Sequence, residues 1–252
     1  MHDALIAAQV LSHPFSLAEA LGSAALLSLL YREWQAVQER AEATIRLSTE
    51  QGFPYWRAWG MMLRGWTFIE QGQEEEGISQ VRQGLAAYRA TGTELAQSYF
   101  LAVLAEAYGK VEQTEEGLTV LAEMLDAVDS SEERFYEAEL YRLKGELTLQ
   151  QEARGWRRET SPSFPQAPSL KSQVTQAAQE AEGYFHKAIE IAHRQQAKSW
   201  ELRAVMSLAK LWQQQGKKTE AHRMLAEIYG WFTEGFDTKD LQEAKALLEE
   251  LH

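Results

Sequence analysis

Apolar side chains recur along this chain at steps of three and four, the spacing that stacks them on one face of a helix. Ala181, Phe185 and Ala188 form one such row; Val81 and Gly84 follow Gly77 in another, and Leu225 and Ile228 follow Ala221 in a third. No segment sustains the alternation of apolar and polar residues that a half-buried strand requires. The pattern therefore predicts helices throughout. It also repeats. Glu76-Gly77-Ile78 returns forty residues later as Glu116-Gly117-Leu118, and Gly65 is matched at the same interval by Ala105 and Gly145. A period of this size marks an array of helix pairs, each too small to bury its apolar face alone.

Each repeat reads as an A helix, a short turn and a B helix. The A helices carry a small residue where two helices must approach: Ala25, Gly65, Ala105, Gly145 and Ala209. Glycine inside a helix costs about 1 kcal/mol relative to alanine, so Gly65 and Gly145 imply a packing reason. Three residues on, an aromatic side chain follows in three repeats (Phe68, Tyr108, Trp212), whereas Ser28 and Thr148 hold that place in the others. At Thr148 the flanking Leu147 or Leu149 can fill the space. The B helices place Val37, Gly77, Gly117, Ala181 and Ala221 in one row and Ala41, Val81, Leu121, Phe185 and Leu225 four positions on. Thr44, Gly84, Met124, Ala188 and Ile228 complete the face. Turns are expected at Gln71-Gly72-Gln73, Gly109-Lys110 and Gln215-Gly216-Lys217, where glycine suits a left-handed helix end.

Between the third and fourth B helices the spacing grows by 24 residues beyond the forty, from Gly117 to Ala181. The excess contains Pro162, Pro165 and Pro168, three of the 5 prolines, and reads as a flexible insertion at 151–175. A helix from about Asp237 to Leu251 is expected to close the array. Asp3 to Leu11 reads as a B helix without its A helix, and the apolar face near Ala7, Ala8 and Leu11 predicts homodimer formation through that N-terminal end.

The small–x–x–aromatic pattern of the A helices, with Ala181-x-x-x-Phe185-x-x-Ala188 in a B helix, resembles the tetratricopeptide repeat. The spacing here exceeds the family's usual length of about 34 residues. The resemblance implies an all-α, right-handed superhelical solenoid of about five helical hairpins plus a capping helix, one domain over residues 1–252. A narrower likeness lies in Gly52-Phe53-Pro54-Tyr55-Trp56, Gln83 to Gly92, Glu137 to Leu147 and Tyr229 to Phe236. These stretches look like the C-terminal repeat region of bacterial signal-transduction ATPases, often fused to class III adenylate or guanylate cyclases. No Gly-x-x-x-x-Gly-Lys-Ser/Thr phosphate loop accompanies them.

In such arrays the A helices line a concave groove that holds the partner. Carried onto this chain, the lining positions are Trp59, Met62 and Trp66; Tyr99 and Glu106; Glu139, Arg142 and Glu146; and Arg203, Met206 and Lys210. An aromatic end beside a mixed-charge end suits a peptide or protein segment with an apolar anchor and a charged tail. The alternative is a small-molecule-sensing regulatory domain, with the ligand enclosed at the aromatic end.

Charge and composition narrow the picture further. The formal net charge of −12, from 25 Lys+Arg against 37 Asp+Glu, opposes a phosphate backbone, so no nucleic-acid partner is expected. There is no cysteine. No apolar run is long enough to span a bilayer and no secretory signal opens the chain, so no membrane partner and a cytoplasmic location are expected. Among the histidines, His186 and His193 share one helical face but stand two turns apart, too far for a tight metal pair alone. No metal, no cofactor and no catalytic role are expected.

Overall fold

The computed structural model describes residues 6–8, 10, 12–93, 97–130, 134–159 and 170–252, the side chains of 97–98, 129–130, 156–159 and 170–175 excepted. Every regular element among them is helical. The helices are α1 (Pro14–Leu30), α2 (Trp34–Gln51), α3 (Pro54–Glu70), α4 (Glu74–Arg89), α5 (Gln97–Lys110), α6 (Thr114–Ser130), α7 (Glu137–Glu159), α8 (Leu170–Arg194), α9 (Lys198–Gln214), α10 (Lys218–Tyr229) and α11 (Lys239–Leu251). The chain divides into two compact units, Met1–Val111 and Glu112–His252.

The forty-residue period is written on the backbone. A left-handed residue closes the B-to-A steps ahead of α1, α3, α5 and α9 at Ser12, Gly52, Gly92 and Gln196, with φ of 51°, 72°, 78° and 56°. The A-to-B steps turn at Arg32, Gly72, Glu112 and Gly216, with φ of 60°, 80°, 58° and 80°. Within each series the positions match the repeat, the last one displaced by the added length. The residue after the turn then donates its N–H back five residues, Glu33 to Ser28, Gln73 to Phe68 and Lys217 to Trp212, at 2.9, 2.8 and 2.9 Å. These bonds satisfy carbonyls that the helix end would otherwise leave open. One expected turn moves. Gly109-Lys110 lies inside α5, and Glu112 takes the left-handed place, because the repeat position and not the nearest glycine decides where the chain reverses.

Other local signals act as their chemistry requires. Pro14 and Pro54 stand at the first positions of α1 and α3, where a missing N–H costs nothing. Glu74, Glu75 and Glu76 open α4, and Glu115 and Glu116 open α6, placing negative charge at the positive end of the helix dipole.

The three B-helix rows are buried without exception. Val37, Ala41, Val81, Leu121, Ala181, Ala221 and Leu225 are fully enclosed, and Phe185 is 1% exposed. The small A-helix positions Ala25, Gly65, Ala105, Gly145 and Ala209 are buried as well. Their size is needed. A methyl group on Gly65 would sit 2.8 Å from Val81 Cγ2 and 2.9 Å from the Gly77 carbonyl, and one on Gly77 would sit 2.6 Å from the Gly65 carbonyl. At Gly145 the obstacle is the Phe185 ring, 2.5 Å away. Ser28, which replaces the aromatic residue, is buried and held by Glu33 Oε2 at 3.1 Å and by Arg40. Leu147 is 2% exposed and Leu149 packs on Phe185 and its neighbours, filling the space beside Thr148.

Consecutive helices pack on one another within each unit. In addition, α1 touches α3 and α3 touches α5 in the first unit, and α7 touches α9 and α9 touches α11 in the second. Among the described residues no such contact joins α2 to α4 or α8 to α10. The A helices therefore form a contiguous layer inside each unit, and the B helices stand outside it. Helix α11 extends that layer with Leu241, Ala244, Leu247 and Leu251, all buried against α9 and α10.

The added length is resolved in an instructive way. A flexible insertion at 151–175 is corrected at both of its ends: α7 runs through Glu159 and α8 starts at Leu170. The Gln, Glu, Ala and Arg of 151–154 are strong helix formers and nothing there stops the helix. Glu152, at the repeat position where other A helices turn, stays helical. The helices of this pair run 23 and 25 residues against 12 to 18 elsewhere. The three prolines of the insertion lie outside the described residues, as does most of the Asp3 to Leu11 segment. Of that segment, residues 6–8 and 10 are helical, Ala8 is buried and Val10 is 77% exposed.

Candidate interaction surface

The A-helix layer presents the lining positions in two chemical forms. In the first unit they belong to the core. Trp59, Met62, Trp66 and Tyr99 are 6, 0, 3 and 5% exposed. Trp59 donates its indole N–H to the Gly22 carbonyl at 3.1 Å and meets Phe100 edge-on at a centroid distance of 4.9 Å. Tyr55, Trp56 and Tyr88 complete the cluster, each within 6.2 Å of Trp59 by ring centroid. Trp66 meets Trp34 edge-on and lies under the Lys110 ammonium, which pairs with Glu70. Each ring is thus used by its neighbours, and a partner meets little of them. Of this unit's predicted lining residues, Glu106 alone is half-buried.

In the second unit the same positions carry charge, and the structure brings them together. Arg142 on α7 grips Glu139 with two parallel bonds, Nε to Oε2 and Nη2 to Oε1, both 2.7 Å. Its third nitrogen, Nη1, lies 2.5 Å from Glu146 Oε1 and 3.4 Å from Ser207 Oγ on α9. Ser207 Oγ in turn donates to Glu146 Oε1 at 2.8 Å. Spacings of three and four along α7 make this possible, since they put both carboxylates on the face of Arg142. Glu139 is 4% exposed, so its charge depends on the bidentate partner.

Arg203 continues the network. Its Nε and Nη2 reach Asp240 Oδ2 at 2.8 and 2.7 Å, tying α9 to α11, and its guanidinium stacks on Trp200 at 4.8 Å. Burial alone would lower the pKa of this guanidinium; the carboxylates of Glu139 and Asp240 more than offset it and raise the value. Met206 is buried at 5%, whereas Lys210 is exposed. The sequence reading thus placed Glu139, Arg142, Glu146 and Arg203 on one face but missed Ser207 and Asp240. Ser207 sits three residues before Lys210 on a helix already assigned to the lining, a signal that was present in the spacing.

Elsewhere the chemistry is sparse. His186 Nε2 lies 4.0 Å from Glu182 Oε1, a carboxylate that also accepts the Trp212 indole N–H at 2.8 Å, and His193 is exposed. Among the described residues no three metal-ligating side chains converge, and no helix is long and apolar enough to cross a membrane. A hollow of about 360 Å³ at the start of α2 is lined by Glu33, Trp34, Gln35, Ala36 and Glu39, all from the first two turns of one helix and its cap. No protein-family model matches the chain, and no curated protein is significantly similar to it.

Proposed function

We propose that this chain is a non-catalytic interaction module, a right-handed solenoid of tetratricopeptide type that holds a peptide or protein segment against its A-helix face. The observation that carries the reading is the charged layer of the second unit. There Glu139, Arg142, Glu146 and Ser207 hold one another across α7 and α9, and Glu146 and Lys210 reach solvent on that face. Polar groups fixed in advance bind at lower entropic cost than side chains that must first be ordered. The buried aromatic residues of the first unit serve as scaffold in this reading, and in the second unit the surface that meets the partner is narrowed to Arg142, Glu146 and Lys210. The likeness to the repeat regions of signalling ATPases supports a cytoplasmic, regulatory role in bacterial signal transduction.

The test is selection of a random dodecapeptide library on the intact chain, followed by affinity measurement on two variants. Glu146→Lys/Lys210→Glu alters the A-helix face, whereas Arg223→Glu alters an exposed position of the B helix α10. Selected peptides are expected to lose affinity for the first variant and keep it for the second, with circular dichroism unchanged in both. Equal binding to all three proteins removes the A-helix face as the binding surface. Self-association is proposed through the exposed apolar residues Ile6, Val10, Phe15, Leu27 and Tyr31. Sedimentation equilibrium checks it, and a monomer at every concentration rules it out.

A further inference from the structure

Resting on the reading above, the geometry points to a specific preference: we infer that Glu146 is a positioned anionic receptor for a lysine or arginine side chain of the bound segment. One oxygen of its carboxylate, Oε1, is fixed by two donors, Arg142 Nη1 at 2.5 Å and Ser207 Oγ at 2.8 Å. Among the described residues the other oxygen, Oε2, meets no donor, and the side chain is 36% exposed. The carboxylate is thus oriented by α7 and α9 with one acceptor left toward solvent.

The charge count gives the sign of the group it accepts. Arg142 is committed to Glu139 through two bonds, so the cation that also touches Glu146 is already neutralised. Adding the Arg203–Asp240 pair, the five charged groups comprise three carboxylates and two guanidiniums. Glu139 and Asp240 each meet a guanidinium through direct bonds, whereas Glu146 brings its charge to the surface with one oxygen unbonded among the described residues. Removal of a cation from water to meet that charge is opposed least where the acceptor is already held, because the acceptor has little side-chain freedom left to lose on binding. A carboxylate or phosphate at the same oxygen would instead be repelled by the Glu146 charge.

Lys210 sets the strength of this preference. It occupies in α9 the repeat position that Glu146 occupies in α7, it is exposed, and it forms no ion pair among the described residues. Its ammonium lies on the same face and weakens the attraction of Glu146 for an incoming cation. Removal of Lys210 is therefore expected to strengthen the preference that removal of the Glu146 charge abolishes.

The probes are positional-scanning dodecapeptide libraries that fix Lys, Arg, Gln or Glu at each position in turn, with retention measured on the full chain and on Glu146→Gln and Lys210→Met. Glutamine keeps the shape and the oxygen that accepts from Arg142 and Ser207, so the variant folds without loss of the network; thermal melts confirm it. The expected result is retention of the best Lys or Arg library over its Gln counterpart by about tenfold on the wild-type chain, the size of one charge-assisted hydrogen bond. The ratio should fall to near unity on Glu146→Gln and rise a few-fold on Lys210→Met. Retention of peptides without a basic preference, or a preference that survives Glu146→Gln, overturns the assignment and leaves the interaction module standing. Retention of no library by any of the three proteins overturns both.

Discussion

Trp59, Met62 and Trp66 in α3 stand at the same three repeat positions as Glu139, Arg142 and Glu146 in α7. The backbone context is shared: both helices carry a glycine at the close-contact position, and both touch the next A helix. The chemistry is opposite. The first set is buried as apolar surface and stabilises by area removed from water, which demands shape but little direction. The second set is held by directed bonds between charged groups, and its stability depends on every group keeping its partner. A repeat geometry thus fixes where side chains meet without fixing what they are. The difference has a functional corollary. An apolar cluster closes on itself, whereas a charged cluster can leave one acceptor turned outward, as Glu146 does.

The largest expected effect comes from the apolar side. Trp59→Ala should cost about 3–5 kcal/mol in urea denaturation, through lost contacts with Phe100, Tyr88 and Trp56 and the lost indole bond to the Gly22 carbonyl. A cost under about 1 kcal/mol would show that the aromatic cluster is not a core. On the charged side the matched change, Glu139→Ala, should cost about 1–3 kcal/mol, because it leaves the Arg142 guanidinium short of its bidentate partner. The double change Glu139→Leu/Arg142→Met should return to within about 1 kcal/mol of the wild type, since both charges go together. If the double variant is as unstable as the single one, the network stabilises by geometry rather than by mutual compensation.

Two smaller changes sharpen the comparison between units at equivalent turns. Arg32→Gly and Glu112→Gly each relieve an L-residue held at positive φ, a conformation that costs about 1–2 kcal/mol. After glycine's greater freedom in the unfolded chain is subtracted, each should gain about 0.5–1 kcal/mol in thermal denaturation. Equal gains in both units would show that the turn geometry is a property of the repeat. The smallest effect concerns Glu152, whose pKa is raised, first by burial and then by the Glu180 carboxylate. A carboxyl with a raised folded-state pKa favours the folded chain while protonated, and this contribution fades as pH climbs through the folded value. Glu152→Gln should therefore raise the melting temperature slightly at pH 7 and leave it unchanged near pH 4; the reverse order contradicts the assignment.

The helical layer structure was legible because its signal is periodic. Small residues at Gly65, Gly145 and Gly77 cannot be explained by helix propensity, so their presence already implied close backbone approach, and the contacts with Val81 and Phe185 supply it. Which A-helix residues share a face was legible for the same reason. Their exposure was not. Spacing tells which residues share a face, but Trp59 and Glu139 share a repeat position and differ in what surrounds them. The aromatic cluster is assembled by Tyr88 and Phe100 from α4 and α5, partners that no local pattern announces. The turn at Glu112 was hidden by composition: a glycine three residues earlier attracted the assignment, while the repeat alone marked the residue that turns. The continuation of α7 past Glu152 was hidden by the prolines downstream, whose influence reaches only the residue just before each of them.

That continuation also settles how this pair of helices can vary. Because the surplus chain enters at the far end of α7 and the near end of α8, both rods lengthen together like the two legs of a tuning fork. The stem, where Gly145 receives Phe185, keeps its registration. Turns added beyond Arg154, whose guanidinium reaches the Glu112 carbonyl, leave that tie to the neighbouring turn in place, which makes the stretch past Arg154 the place where an engineer would lengthen the prongs first.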